Sequence, residues 1–516
     1  MDRNDRPVRY NHGISRRDAL VGLGGVALLG AVPAAAQPAT PRAGGTFRMA
    51  YSAAPDTLDP QATLNISTQQ YSTMVFDNLT SLDQNSQAVP SLAVSWMPDK
   101  HGQEWVLNLR EGVHFHHGTE FTADDVVATI DRAYDKVLGL NAYGAFGPLQ
   151  GARAESRYRV RLVLTQPFGE LPVTLANRWA RIVAKDRIDR LKTTPSGTGP
   201  FRLTDFQPGA SLTMARNKDY WMKDRPYLDG AKLVVIHEAM AQQAALRSGD
   251  VDFISSISAE TFLALRGAHG IHAWSAVTGV YQPVMLQANL APFDNPKLRE
   301  AFRYIIDRKA LLESALFGQG KLGNDVPLPP GNPYLTDLPQ HEQDLGRARK
   351  LLAEAGTGPL TLDFWCSSER PPTPKVALAM KDAAAKLGIS INVRDIPYTE
   401  YVADVARKKQ LYTANWSGSP TLYESLYLVF HSDARLNYST VETSPGLDHA
   451  LEEIVAETDT VRRKQLVAQV LPKIHDTSDR VIPYFLNYLG ATSDKVQGFV
   501  PPQYDMIDVR PIWLSA

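Results

Sequence analysis

From Trp105 to Phe115 apolar and polar positions alternate along the chain. Trp105, Leu107 and Leu109 share one face, Val106, Asn108 and Arg110 the other, and after Glu111-Gly112 Val113 and Phe115 continue the first face opposite His114 and His116. A period of two predicts strands on either side of a turn. "GGTFRMAY", residues 44–51, predicts an earlier strand, and "PDTLDP" turns the chain after it. The period then lengthens. Thr122 opens a helix as a capping-box variant with Asp125 at its positive end, and Val126, Val127, Ile130, Tyr134, Val137 and Leu138 form its apolar stripe.

"DNPKLREAFRYIIDRKALLESALFG" predicts one long helix. Asn295 caps it, Pro296 suits its first position, and Leu298, Phe302, Ile305, Ile306, Leu312 and Leu316 line one face before a left-handed stop at Gly318. Strand and helix then alternate: "LTLDFW", "PKVALAMKDAAAKLG", "ISINVRDI", "TEYVADVARKKQ", "LYTANW". This βαβαβ order predicts a parallel sheet with helices on its faces. The first 280 residues lack such alternation, and "RVIPYFLNYLG" near the end is strand-like again. The expectation is an N-terminal α+β body, then an α/β body, with the chain returning to the first. Two crossings between bodies make a hinge, and the cleft between them is the default ligand site.

At 516 residues two or three domains are expected. With 54 Lys/Arg against 55 Asp/Glu the chain lacks the basic excess of a nucleic-acid binder. Arg16-Arg17 precede a 13-residue apolar run, Leu20 to Val32, that ends in Ala34-Ala35-Ala36. The run is too short to span a bilayer, and with Ser15 the pair resembles a twin-arginine export signal over 1–36. The lone Cys366 forms no internal disulfide and reads as a buried packing residue.

Enzyme signatures are weak. Gly318-Gln-Gly320-Lys-Leu-Gly323 fits G-x-G-x-x-G, but it follows a helix, where a dinucleotide turn must precede one. His114, His116 and His117 lack a second spaced pair to complete a metal shell, so local hydrogen bonding is favoured. No cofactor is expected.

Residues 90–132, "PSLAVSWMPDKHGQEWVLNLREGVHFHHGTEFTADDVVATIDR", resemble the signature of the family 5 extracellular solute-binding proteins. The matching positions are Trp105, Leu109-Arg110, Gly112-Val113, Phe115-His116, Gly118, Phe121-Thr122-Ala123 and Asp125-Val126. "DTLDP", "GTGPFRL" with "RNKDYW", and "LREAFRYIIDRKAL" extend the likeness over the mature chain. The resemblance implies the ligand-capturing component of a peptide, nickel or opine ABC importer. It also implies an α/β, two-lobed periplasmic binding protein of type II, in the large three-domain cluster, with hinge crossovers and no catalysis. Lobe I is expected over 37–280 with an extra subdomain around 82–190, lobe II over 281–486, and a return to lobe I over 487–516. The partners implied are a small-molecule ligand and a membrane-embedded permease, with the protein periplasmic and monomeric.

Two loops then become candidates for the site. Arg370 in "CSSERPPTPK" follows a parallel strand and adjoins a helix start, a placement that favours an anion. It also resembles an Arg-Pro-x-x-Pro stretch that binds the ligand carboxylate in dipeptide-binding members. "NWSGSP", 415–420, lies at the end of the next strand, where peptide-binding members carry an aspartate for the ligand's ammonium. Here Trp416 remains, and Ser417, Gly418 and Ser419 occupy the acidic stretch, so an amine-blocked carboxylate is expected unless Glu424 or Asp433 supplies the acid. Tyr51, Tyr71 and Tyr484 are further candidates by the same resemblance. Two alternatives stay open: an exported enzyme with a metal site near His114 and His116, and a binding protein that presents its ligand to a chemoreceptor.

Overall fold

The computed structural model describes residues 40–502 and 506–515, so the expected leader lies outside the described residues. The strand expected at "GGTFRMAY" is Thr46–Tyr51, and it lies inside an eight-stranded sheet. It pairs in parallel with Gly230–Val235 on one side and Phe253–Ser255 on the other. Flanked on both edges, it buries Phe47, Met49, Ala50 and Tyr51. Beyond Phe253–Ser255 come Tyr484–Ser493 and then Ile271–Tyr281. Beyond Gly230–Val235 come Ser211–Arg216 and Phe201–Gln207.

A second sheet of five strands runs in the order Ser390–Asp395, Thr361–Cys366, Leu411–Thr413, Val284–Leu286, Arg480–Val481. The first three are the parallel strands of the expected βαβαβ unit, with the earliest in the middle. Thr373–Ala385 is the helix after Thr361–Cys366, and it buries Val376, Ala377, Met380 and Ala384 against that sheet. Cys366 is fully buried in the same core, and burial pushes its thiol up to about 12, in keeping with a packing residue.

The chain passes between the two sheets at two short links. Ile271–Tyr281 belongs to the first sheet and Val284–Leu286 to the second, joined by Gln282-Pro283. Arg480–Val481 belongs to the second and Tyr484–Ser493 to the first, joined by Ile482-Pro483. Proline has no N–H to extend a ladder, so each link ends one strand before the next begins. A third strand reaches across as well: Gly320–Leu322 leaves the second body and pairs with Tyr484–Leu486.

The alternation at Trp105 is the strand Glu104–Leu109, with Trp105, Leu107 and Leu109 buried. It sits in a four-stranded antiparallel sheet with Ala93–Pro98, Arg159–Leu164 and Leu149–Ser156, over a core of its own. Each fully buried large apolar side chain there contributes about 1.5–3 kcal/mol. Helix Ala123–Tyr134 covers this sheet and carries the expected capping box between Thr122 and Asp125.

Three local expectations are corrected. Val137 and Leu138 are exposed rather than part of the helix stripe, because the Asp135 carboxylate accepts from the Val137 N–H and its carbonyl from the Leu138 N–H, turning the chain. The long helix from Pro296 is two helices, Pro296–Arg303 and Arg308–Leu316. Asp307 caps the second through the Ala310 N–H, and the break turns the Arg308 guanidinium inward to the Arg303 carbonyl. The left-handed stop falls first on Phe317, φ +51°, with Gly318 following in the same region.

The end of the chain packs on the first body. Val496–Gln497 pairs with Trp513–Leu514, and Ile507, Val509 and Ile512 enter the core around Tyr71 and Phe76. The Gln70 side chain holds this segment at both the N–H and the carbonyl of Ile507.

Candidate functional site

A cavity of about 570 Å³ opens where the two bodies meet. That volume falls within the range of small-molecule sites, about 300–1,000 Å³. The first body contributes the chain after helix Ile66–Val75, the 173–181 segment, Val280 at the end of Ile271–Tyr281 and the returning C-terminal segment; the second contributes the loop from Gly418 to Glu424.

The loop is brought to the wall by a close backbone approach. A Cβ on Gly418 would lie 2.6 Å from the Gly279 Cα, and one on Gly279 would lie 2.8 Å from the Gly418 Cα. Behind it, Trp416 and Tyr281 exchange backbone hydrogen bonds of 3.0 and 3.1 Å and stack their rings 6.3 Å apart. Ahead of it, buried Glu170 from the first body accepts from the N–H groups of Leu422 and Tyr423 at 3.0 and 2.9 Å. Burial pushes the Glu170 carboxyl up, against the pull of Arg463 and the two amides.

The charged groups on the wall divide into paired and unpaired. Asp77 accepts from Thr198, Tyr220 and Trp221 at 3.0, 3.1 and 3.0 Å. Arg510 is held bidentately by Asp508 at 2.8 and 2.9 Å. Arg178 lies 4.8 Å over the ring of Trp179. Arg181 makes no hydrogen bond or ion pair with any described residue, and its Nε is buried without a partner. Burial pushes its guanidinium down to about 10, opposed by Asp77 and aided by Arg510, so it is a cation at neutral pH. Two other residues that line the same cavity carry an orphaned buried polar atom. Asn78 donates to the carbonyls of Leu175 and Asn177 but leaves its buried Oδ1 unpaired, and the Thr174 hydroxyl also lacks a partner. Glu424 faces this wall from the second body.

Of the residues expected from sequence, Gly418 lines the cavity. The loops of Arg370 and Asn415 do lie side by side, because Thr361–Cys366 and Leu411–Thr413 are parallel neighbours. They enclose a recess of only about 10 Å³. Arg370 is exposed there, its guanidinium 3.9 Å over the ring of Tyr398. Trp416 is packed in the second body's core with Arg480 5.3 Å from its ring. Ser417 is exposed, and the Ser419 Oγ accepts from the Thr421 N–H at 3.1 Å, shaping the loop. Tyr51 and Tyr71 are buried in the first body's core, and burial pushes both phenols up. Tyr484 donates to Gln282 at 3.0 Å. Of the two acids named as substitutes, Glu424 stands on the wall and Asp433 does not.

The histidines are engaged locally. His114 Nδ1 pairs with the Gly112 carbonyl, His116 Nε2 with the Gly199 carbonyl, and His117 bridges Ser196 and Asp186. His117, Ser196 and Asp186 make no nucleophilic triad: Ser196 is buried, already accepts from the His117 N–H, and does not border the cavity. Among the described residues, the grouping of side chains close enough to share a metal is His341, His475 and Asp476, far along the sequence from these three.

Sequence reasoning missed Arg181, Asn78, Thr174 and Glu170. One signal was present: Arg181 is a lone charge inside the apolar run Trp179–Ala184.

The model of the bacterial extracellular solute-binding proteins, family 5, matches residues 87–437. The chain belongs to that family: it is a solute-binding protein of the ABC-importer type, with the two-lobed fold. The glutathione-binding protein GsiB of Escherichia coli K12 is 26% identical over 415 residues, which is 78% of this chain and 79% of the relative. Among solved structures, HbpA2 from Haemophilus parasuis superposes with a TM-score of 0.82 at 21% identity, covering 92% of this chain and 100% of that one. AgaA from A. tumefaciens R10, in complex with agropinic acid, gives 0.75 at 22% identity, covering 92% and 99%.

Proposed function

We propose that this is an exported, periplasmic, monomeric binding protein that encloses a small carboxylate-bearing organic molecule between its two bodies and delivers it to an ABC permease. The observation that carries the reading is the 570 Å³ cavity walled by both bodies, whose lining includes residues with unpaired buried polar atoms. A ligand that touches both walls binds the closed arrangement more tightly than an open one, and that difference drives closure. The arginine pair at 16–17 and the apolar run after it support export by the twin-arginine route. Among the described residues no helix is long and apolar enough to cross a membrane.

Glu424 on the wall widens the ligand class expected from the NWSGSP loop, since a carboxylate there accommodates an ammonium or an N–H donor. Glutathione, named for one relative, and agropinic acid, bound by another, fit that class. The test is a thermal-shift screen of the mature chain against glutathione, short peptides, N-acyl amino acids, opines and simple amines. Ligand at 100 times its Kd adds about 2.7 kcal/mol of stability. Stabilisation by carboxylate-bearing compounds supports the reading; stabilisation confined to the simple amines contradicts it.

A further inference from the structure

We infer that Arg181, on the first body, is the residue that captures the ligand's anionic group, and that Asn78 and Thr174 read a hydrogen-bond donor next to it. The ligand class is an oxyanion, a carboxylate above all, bearing a neighbouring N–H or O–H. This rests on the cavity being the ligand site and adds which wall recognises which chemistry.

The inference comes from counting partners. A buried polar group without a hydrogen bond is destabilising, more so if charged, so native interiors keep few. Three residues that line this one cavity carry such an atom: Arg181 Nε, Asn78 Oδ1 and Thr174 Oγ1. The nearby carboxylates favour the arginine's charge but make no hydrogen bond or ion pair with it: Asp77 accepts from three neutral donors and Asp508 pairs with Arg510. Arg181 is therefore a free fork of donors, and a planar oxyanion matches it bidentately.

Asn78 fixes the second half of the ligand. Its side-chain NH2 is committed to the carbonyls of Leu175 and Asn177, so the amide cannot flip and Oδ1 must accept. It asks for a donor, where Arg181 asks for an acceptor. The Thr174 hydroxyl serves either way. A carboxylate next to an amide N–H, a secondary amine or a hydroxyl satisfies all three. A simple fatty acid leaves Asn78 unpaired and is disfavoured.

Arg370 offers the competing choice. It already stacks on Tyr398, is exposed, and does not border the cavity.

The experiment is a titration series with paired probes: glutathione, alanylalanine, N-acetylalanine and an opine, each with its C-terminal primary amide. Wild type is compared with Arg181→Gln, Arg181→Lys, Arg370→Ala and the cavity-filling Ala176→Trp. Unliganded melting temperature and circular dichroism check that each variant is folded. The expected result is that at least one acid binds wild type and its amide binds tenfold or more weakly. Arg181→Gln then loses tenfold or more for the acid and with it the preference over the amide. Arg181→Lys recovers part of both, and Arg370→Ala stays within about twofold. If Ala176→Trp abolishes binding while Arg181→Gln leaves it unchanged, the Arg181 assignment is overturned and the cavity stands. If neither variant changes binding, the cavity reading itself falls. A wild-type protein that binds none of the acids also overturns the inference.

Discussion

The Tyr484 hydroxyl donates to Gln282 Oε1 at 3.0 Å, so the residue that follows one crossover grips the first residue of the other. Gln282 passes the contact on: its Nε2 donates to the Pro371 carbonyl at 3.3 Å and to Asn415 Oδ1 at 3.2 Å. The hinge, the Arg370 loop and the NWSGSP loop are therefore tied by one amide. Tyr484→Phe leaves Gln282 short of a donor and should lower stability by about 1–2 kcal/mol in urea unfolding. Ligand affinity of the folded variant should stay within about twofold. A large loss of affinity without loss of stability would make Tyr484 a ligand contact instead.

The second crossover has its own anchor. Asp325 is fully buried, accepts from Arg308 Nη2 at both carboxylate oxygens, 2.9 and 2.7 Å, and also accepts from the Ile482 N–H at 2.7 Å. Asp325→Ala strands the buried Arg308 cation and should cost about 3–5 kcal/mol, read from the urea midpoint.

Asp325 and Glu170 carry opposite pH signatures. Burial pushes the Asp325 carboxyl up, but Arg308 and His341 outweigh it and hold it well below the usual range. Its contribution is present above the unfolded aspartate value and is lost as pH falls towards the depressed folded value. The Glu170 carboxyl is raised, so its folded form binds the proton more readily than the unfolded chain does. Stability on its account falls as pH rises from the ordinary glutamate range through the raised value. Unfolding from pH 3 to 8 should show Asp325→Asn without the acid-side slope and Glu170→Gln without the opposite one; unchanged slopes refute the assignment.

Gly279 and Gly418 leave no room for a side chain where their backbones meet. Gly418→Val should cost about 1–3 kcal/mol by overpacking and also displace the loop that walls the cavity. A ligand that stabilises wild type should then lose tenfold or more in affinity, while Ser417→Ala, at an exposed position, should change little.

Much of the frame was legible in the residues. The alternation at Trp105, the Thr122–Asp125 box and the βαβαβ order all report local periods, and local periods survive folding. The stripe at Val137 and Leu138 failed because one side-chain hydrogen bond at Asp135 ended the helix early, a choice that periodicity does not encode. The helix from Pro296 breaks where the Arg308 side chain turns inward to Asp325, a tertiary contact that periodicity does not encode. The site was harder still. Arg181, Asn78, Thr174 and Gly418 lie up to 340 positions apart and converge only once the chain has crossed between bodies, so spacing carries no trace of them. Gly418, in an uncharged loop after a parallel strand, borders the cavity, whereas Arg370 and Trp416, which the same logic points to, stand at the small recess and in the second body's core.

The most direct measurement is amide hydrogen exchange of the full chain with and without the carboxylate that gives the largest thermal shift. Capture between the two bodies predicts slowed exchange at both 173–181 and 418–424, one segment from each wall. Protection confined to one of them, or found only around 367–373, would contradict a ligand held in this cavity.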